Sequence, residues 1–353
     1  MHSSQMIHLD GVEVGLGKPC YIIAEIGSNH NRDFATAQKL IDISKETGCN
    51  AVKFQSYSAE GLYSIFTPRI STMDGVSKGN ETPFELIKRI EMPMGWHRPL
   101  KDYCDKVGIT FCSTPFDQGM VDILEDVQTP FYKVASFEIT HYPLLKRIAA
   151  TYKPIVLSTG NSDIKDVQRA VNCLKENGCR EFALLHCMSQ YPAKDQDMNL
   201  RCIETLRQEF DCPVGLSDHT VDHLSATVAV GFGMNILEKH ITLEKNYPGP
   251  DHIFALEPKD LAQLVKTIRR AEAALGTGIK LMRPGEEENH RIGRRSVIAA
   301  VNLKEGDVIT EEKLVIKRPS FGIHPKDIGL VIGKKVNKDI ERDRWITKED
   351  IVN

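Results

Sequence analysis

The chain has 353 residues, 41% of them hydrophobic, with 45 Lys and Arg against 48 Asp and Glu for a formal net charge of −3. That length and composition fill a sizeable core and suit one large domain plus a small one. The balanced charge gives no electrostatic footprint for nucleic acid or an anionic membrane, and no apolar run nears the roughly 20 residues of a membrane helix. The start, "MHSSQMIHLDGVEVGLGKPC", lacks the basic, apolar and small-residue segments of a secretory signal. Nine scattered cysteines without a CxxC pair read as reduced thiols. A cytoplasmic location is expected.

In chain order, eight short apolar and often β-branched runs alternate with amphipathic segments of helical length. They are "YIIAEIG" (21–27), "AVKFQS" (51–56), "ITFCST" (109–114), "FYKVAS" (131–136), "PIVLSTG" (154–160), "FALLHC" (182–187), "PVGLSD" (213–218) and "NILEKH" (235–240). Helix candidates between them, such as "FATAQKLIDISKETG", "DVQRAVNCLKENG" and "LSATVAVGFG", close on Gly, which readily adopts the left-handed conformation of a helix end. Strand and helix repeated eight times predict an α/β chain folded as a (β/α)8 TIM barrel over 1–278. The alternative, a doubly wound open sheet, lacks a Gly-rich dinucleotide turn after its first strand.

Chemistry in such barrels sits at the C-terminal strand ends. Lys53 and Lys133 interrupt apolar runs, where an unpartnered lysine is costly, so each needs a bound phosphate or carboxylate, or a protein carboxylate such as Glu25 or Glu138. "LSTG" followed by "NSDIKDV" adds hydroxyls, a glycine and a helix start, a cradle for an anion. Glu25 and Glu138 are placed for proton transfer or for holding sugar hydroxyls. The connection from Ser56 to about Pro83 exceeds ordinary loop length and is expected to cover the pocket mouth.

"VGLSDHTVDH" (214–223) and "LEKH" (237–240) close the seventh and eighth runs with His219 and His240. Neighbouring strands can bring these imidazoles to one divalent ion, of a kind nearer Mn, Fe, Co or Zn than Ca. His219 and His223 are four apart, but Thr220 stands where HExxH has Glu, so the zinc-protease reading fails and His223 reads as structural.

"IKLMRPGEEENHRIG" reads as a linker over 279–294, ahead of a β-rich domain at 295–353. That domain carries a weak repeat, "LKEGDVITEEKL" (303–314) against "IERDRWITKEDI" (340–351). Between the copies, Arg318 in "VIKRPSFGIHP" offers a guanidinium on a loop, suited to a ligand oxygen.

The motifs "IIAEIGSNHN", "AVKFQ", "STPF", "PIVLSTG", "GLSDHT", "LEKHIT" and the late "IKRP", spread over nearly the whole chain, resemble the sialic acid synthase family. The resemblance implies condensation of phosphoenolpyruvate with an N-acetylated amino sugar, such as N-acetylmannosamine or a 2,4-diacetamido sugar, to a nine-carbon sialic-type acid with release of phosphate by C–O cleavage. It implies that Lys53, Thr114, Lys133, Ser136, Ser158, Ser189 and Ser217 bind phosphoenolpyruvate, Ser189 standing where the family commonly has Asn. Gln55, Tyr191, Asp251 and Arg318 would meet the sugar, with Glu25 and Glu138 near the reacting centre. His219 and His240 would hold the metal, Mn first, with Mg or Co as alternatives. The C-terminal region resembles the antifreeze-like (SAF, β-clip) module, which in the family crosses to the partner barrel of a domain-swapped homodimer. Two other functions stay open on the residues: another phosphoenolpyruvate-dependent 3-deoxy-sugar acid synthase, and a non-catalytic carbohydrate-binding protein.

Overall fold

The computed structural model describes residues 6–69 and 80–352, in two compact units, Met1–Gly276 and Thr277–Asn353. The first unit is the expected barrel. Its strands are β1 (Tyr21–Glu25), β2 (Ala51–Ser56), β3 (Thr110–Pro115), β4 (Tyr132–Val134), β5 (Ile155–Ser158), β6 (Phe182–Cys187), β7 (Val214–Asp218) and β8 (Ile236–His240). All pairings among them are parallel, in the order β3-β2-β1-β8-β7-β6-β5-β4. β3 and β4 lie side by side without a ladder, so the barrel is nearly closed.

At least one helix follows each strand; those leading into β2, β3 and β4 fall at Phe34–Glu46, His97–Val107 and Gln118–Asp126. Asp33, Asp117 and Asp163 start helices by accepting hydrogen bonds from backbone N–H groups of the first turn, a cap that contributes about 1 kcal/mol. Among the described residues no helix is long and apolar enough to cross a membrane. All nine cysteines are free thiols.

Side chains along a strand alternate between its two faces, and here the alternation separates two cores. Ile22, Val52, Phe54, Phe111, Tyr132, Leu157, Leu184 and Leu216 face outward and pack with the helices. Tyr21, Ile23, Ala51, Cys112, Phe131, Val156, Ala183, Leu185 and Ile236 fill the lower interior. The N-terminal hairpin, Ile7–Leu9 paired with Val12–Val14, adds Ile7, Leu9 and Val14 to that inner cluster and seals the barrel floor. Gly215 lies on the same inner face. A methyl group there would collide with the backbone oxygen of Ile236 and meet Leu185 Cδ2 at 2.7 Å.

The second unit is small and β-rich. Ser296–Ala299 pairs with Leu314–Lys317 and Lys335–Val336 with Ile351–Val352, around Val297, Leu303, Ile309, Val331, Ile340 and Ile346. Both copies of the sequence repeat end in a 3-10 turn that leads into a strand. They meet at an antiparallel bridge between Leu303 and Ile340. Within the stretch read as linker, Pro284–Glu286 forms a 3-10 turn and Glu287–Gly293 a helix.

Candidate active site

Above the apolar floor, the next inward positions of the strands are polar. Glu25, Lys53, Lys133, Ser158, Cys187, Ser217, Glu238 and His240 all line one cavity of about 220 Å3, with Gln55, Thr114, Ser136, Tyr191, His219 and Asp251 around them. Twelve of the residues singled out in the sequence therefore converge there.

The lysines have protein carboxylates as partners. Lys53 Nζ lies 2.7 Å from Glu25 Oε2 and 3.9 Å from Glu238 Oε1, and donates to Thr114 Oγ1 at 3.1 Å. Lys133 Nζ donates to Ser158 Oγ at 2.7 Å and to the Val134 carbonyl at 3.0 Å, with Glu238 Oε2 at 3.7 Å. Glu238 accepts from Ser217 Oγ at 3.1 Å, and Glu25 from Gln55 Nε2 at 2.7 Å.

Two lysines and two carboxylates thus share a buried layer, and burial decides much of its electrostatics. Burial raises the Glu25 carboxyl to about 7 against the pull of Lys53. It also raises Glu238, but Lys133 and Lys53 outweigh it and hold that carboxyl low. Burial lowers the Lys133 ammonium more than Glu238 restores it. The layer can hold an anion on its lysines and keep a proton on Glu25 near neutrality.

Beside Lys133, the Gly160 N–H donates to Ser136 Oγ at 3.0 Å. A methyl group on Gly160 would collide with Ser189 Oγ and come within 2.9 Å of Ser136 Oγ and 3.0 Å of the Cys187 carbonyl. Only glycine leaves this hydroxyl-lined cradle open.

Next to the cradle, past Cys187, the His219 and His240 rings stand 5.4 Å apart, both against Phe254. His219 Nδ1 donates to the Met188 carbonyl at 2.9 Å, which leaves the Nε2 lone pair available. His240 Nδ1 is buried without a hydrogen-bond partner, 3.8 Å from Asp251 Oδ2. Among the described residues no three His, Cys, Asp or Glu side chains form a preformed cage. Two imidazoles with an orphaned nitrogen beside a carboxylate nevertheless fit a divalent ion whose shell is completed by water or ligand oxygens.

Three predicted residues fall elsewhere. Glu138 is half-buried in the 3-10 turn Ser136–Glu138 and does not line the cavity, so it is no partner for either lysine. Ser189 lies behind the cavity wall next to Gly160. Arg318 belongs to the second unit. Leu62 and Tyr63 from the long connection line the cavity, as do Ile87 and Ile90 of the helix Pro83–Ile90. Residues 70–79 of that connection lie outside the described residues. Residue type gives Glu238 and Cys187 no role, although strand parity reveals both: Glu238 is two residues from His240, and Cys187 is in register with Ser217.

An eight-stranded barrel with buried acids, bases and anion-binding groups at its C-terminal strand ends has the make-up of an enzyme of the TIM-barrel class. Residues 40–280 match the NeuB family and residues 294–352 the SAF domain. The chain belongs to the NeuB family, with a C-terminal SAF domain. It is 41% identical to an uncharacterized protein of Methanocaldococcus jannaschii, over 96% of each chain. It is 36% identical to the N,N'-diacetyllegionaminic acid synthase of Legionella pneumophila, again over 96% of each. Among solved structures, the N-acetylneuraminic acid (sialic acid) synthetase of Leptospira borgpetersenii superposes with a TM-score of 0.72 at 33% identity, covering 82% of this chain and 96% of that one.

Proposed function

We propose that this protein condenses phosphoenolpyruvate with an N-acetylated amino sugar, N-acetylmannosamine or a related 2,4-diacetamido sugar, to a nine-carbon sialic-type acid. The carrying observation is the polar layer itself, in which Lys53, Lys133, the serine hydroxyls, His219 and His240 line one cavity. The named activity of the Legionella relative supports the same reading.

Lys53, Lys133, Thr114, Ser136, Ser158 and Ser217, with Ser189 behind them, hold the phosphate and carboxylate of phosphoenolpyruvate and stabilise their charge throughout. Gln55, Tyr191 and Asp251 hold the sugar. In the reaction C3 of phosphoenolpyruvate forms a bond to the aldehyde carbon, whose oxygen takes up a proton. Water then adds at C2 and loses a proton, and the C2–O bond breaks to free phosphate. Glu25, poised near neutrality and fixed by Gln55, moves a proton at this centre. A divalent cation held by His219 and His240, Mn first with Mg or Co as alternatives, would polarise the sugar carbonyl when bound. The barrel over 1–278, a linker at 279–294 and the module at 295–353 would assemble as a domain-swapped homodimer in the cytoplasm, with Arg318 serving the neighbouring subunit's sugar.

The test is phosphate release from phosphoenolpyruvate with Mn, comparing N-acetylmannosamine, its 6-phosphate, a 2,4-diacetamido-trideoxy hexose and no sugar. Release that depends on one of the sugars supports the synthase and identifies its acceptor. Absence of release with the whole panel, from folded and metal-loaded protein, counts against it.

A further inference from the structure

One buried charge pair at the strand ends does not face the cavity. Asp218 and Lys239 alternate with Ser217, His219, Glu238 and His240, so they point to the outer face of the barrel, and the two are register partners across β7 and β8. Lys239 Nζ donates to Asp218 Oδ2 at 2.8 Å and to the Thr220 backbone carbonyl at 2.5 Å, with Thr220 Oγ1 at 3.3 Å. Asp218 Oδ1 in turn accepts from the Thr220 N–H at 2.9 Å and from Thr220 Oγ1 at 2.7 Å. Both charged side chains are fully removed from solvent.

A buried ion pair is a poor device for stability, because well-packed apolar residues often do as well or better. Its position suggests a different use. The residues on either side of His219, Asp218 and Thr220, are both bound to Lys239, and Lys239 immediately precedes His240. The three Lys239 bonds therefore tie one imidazole-bearing strand end to the other, and the two Thr220–Asp218 bonds brace the His219 side of that tie.

We propose that Asp218, Lys239 and Thr220 form a clasp that positions His219 and His240 from behind, setting the ring spacing a divalent cation requires. These are positioning residues that do not touch the ligand themselves. The inference rests on the reading above that the two imidazoles hold a cation.

The test uses the full-length protein and Mn(II) alone, with free Mn(II) counted by electron paramagnetic resonance. The variants are Asp218→Asn, Lys239→Met, the double variant, and Thr220→Val as the mildest change. Both single variants should lose about tenfold in Mn(II) affinity, the lower range for residues that support metal ligands, and Thr220→Val a few-fold. The double variant leaves no unpaired buried charge, so its melting temperature should recover while its Mn(II) affinity stays weakened. A folded double variant or Thr220→Val that binds Mn(II) as tightly as the unaltered protein overturns the clasp. If the unaltered protein binds no Mn(II), the cation reading fails on its own and amide hydrogen exchange decides the clasp. Faster exchange confined to residues 219–220 and 240–241 supports it, and unchanged exchange there overturns it.

Discussion

Glu25 and Lys53 are register partners across β1 and β2, and their side chains meet at 2.7 Å with 0% and 4% of their surface exposed. The carboxylate is raised by burial and the ammonium, although burial opposes it, is raised by Glu238 and Glu25. Removing one partner strands the other charge. Lys53→Met should therefore cost about 3 kcal/mol in urea unfolding, and Lys53→Met combined with Glu25→Gln distinctly less. Equal losses in the single and double variants would contradict this coupling.

His219→Ala and His240→Ala should each lower phosphate release with Mn by about 100-fold or more. Each should keep a native circular dichroism spectrum, because the barrel core lies below both rings. A variant with unchanged turnover would remove that histidine from the site.

Two glycines should respond differently. Gly215→Ala pushes a methyl group into the Ile236 carbonyl and Leu185, and should lower stability by about 2 kcal/mol. Gly160→Ala displaces Ser136 and Ser189 at the cradle, and should raise the KM for phosphoenolpyruvate about tenfold with a smaller change in stability. Steady-state kinetics alongside thermal melts separates the two effects.

His30 and His252 are each 1% exposed, and burial lowers both from 6.5 to about 4. Below pH 6.5 the unfolded chain takes up protons that the folded one refuses. Their contribution is thus complete above pH 6.5 and is lost as the pH falls towards 4. His30 alone accounts for about 3 kcal/mol by pH 4. Unfolding free energies at pH 7, 6, 5 and 4 should decline more steeply for the unaltered protein than for His30→Gln. Parallel curves would exclude His30 as a source of the decline.

The barrel was legible because eight short apolar runs, each followed by a helical pattern, leave few other arrangements. Selecting residues by type at the strand ends then brought Lys53, Lys133, Ser158, Ser217, His219 and His240 to one cavity. Type alone does not report direction. His186, Asp218 and Lys239 are polar strand-end residues too, yet they point outward, where His186 bonds the Met198 carbonyl and the other two bond each other. Glu238 shares the inward parity of His240 and reaches the cavity, whereas Glu138, equally acidic, sits in a turn that takes it away. The packing of loops such as Tyr57, Tyr63 and Pro250 around the mouth depends on tertiary contacts that no local pattern encodes.

The hairpin at the N-terminus turns the barrel into a blind well. With Ile7, Leu9 and Val14 closing its floor, whatever reaches the lysines passes the mouth and returns by the same route. Lys133, 2% exposed, lies at the inner end of that single passage and Tyr191, 48% exposed, at its rim, so an incoming molecule meets the tyrosine before the lysine.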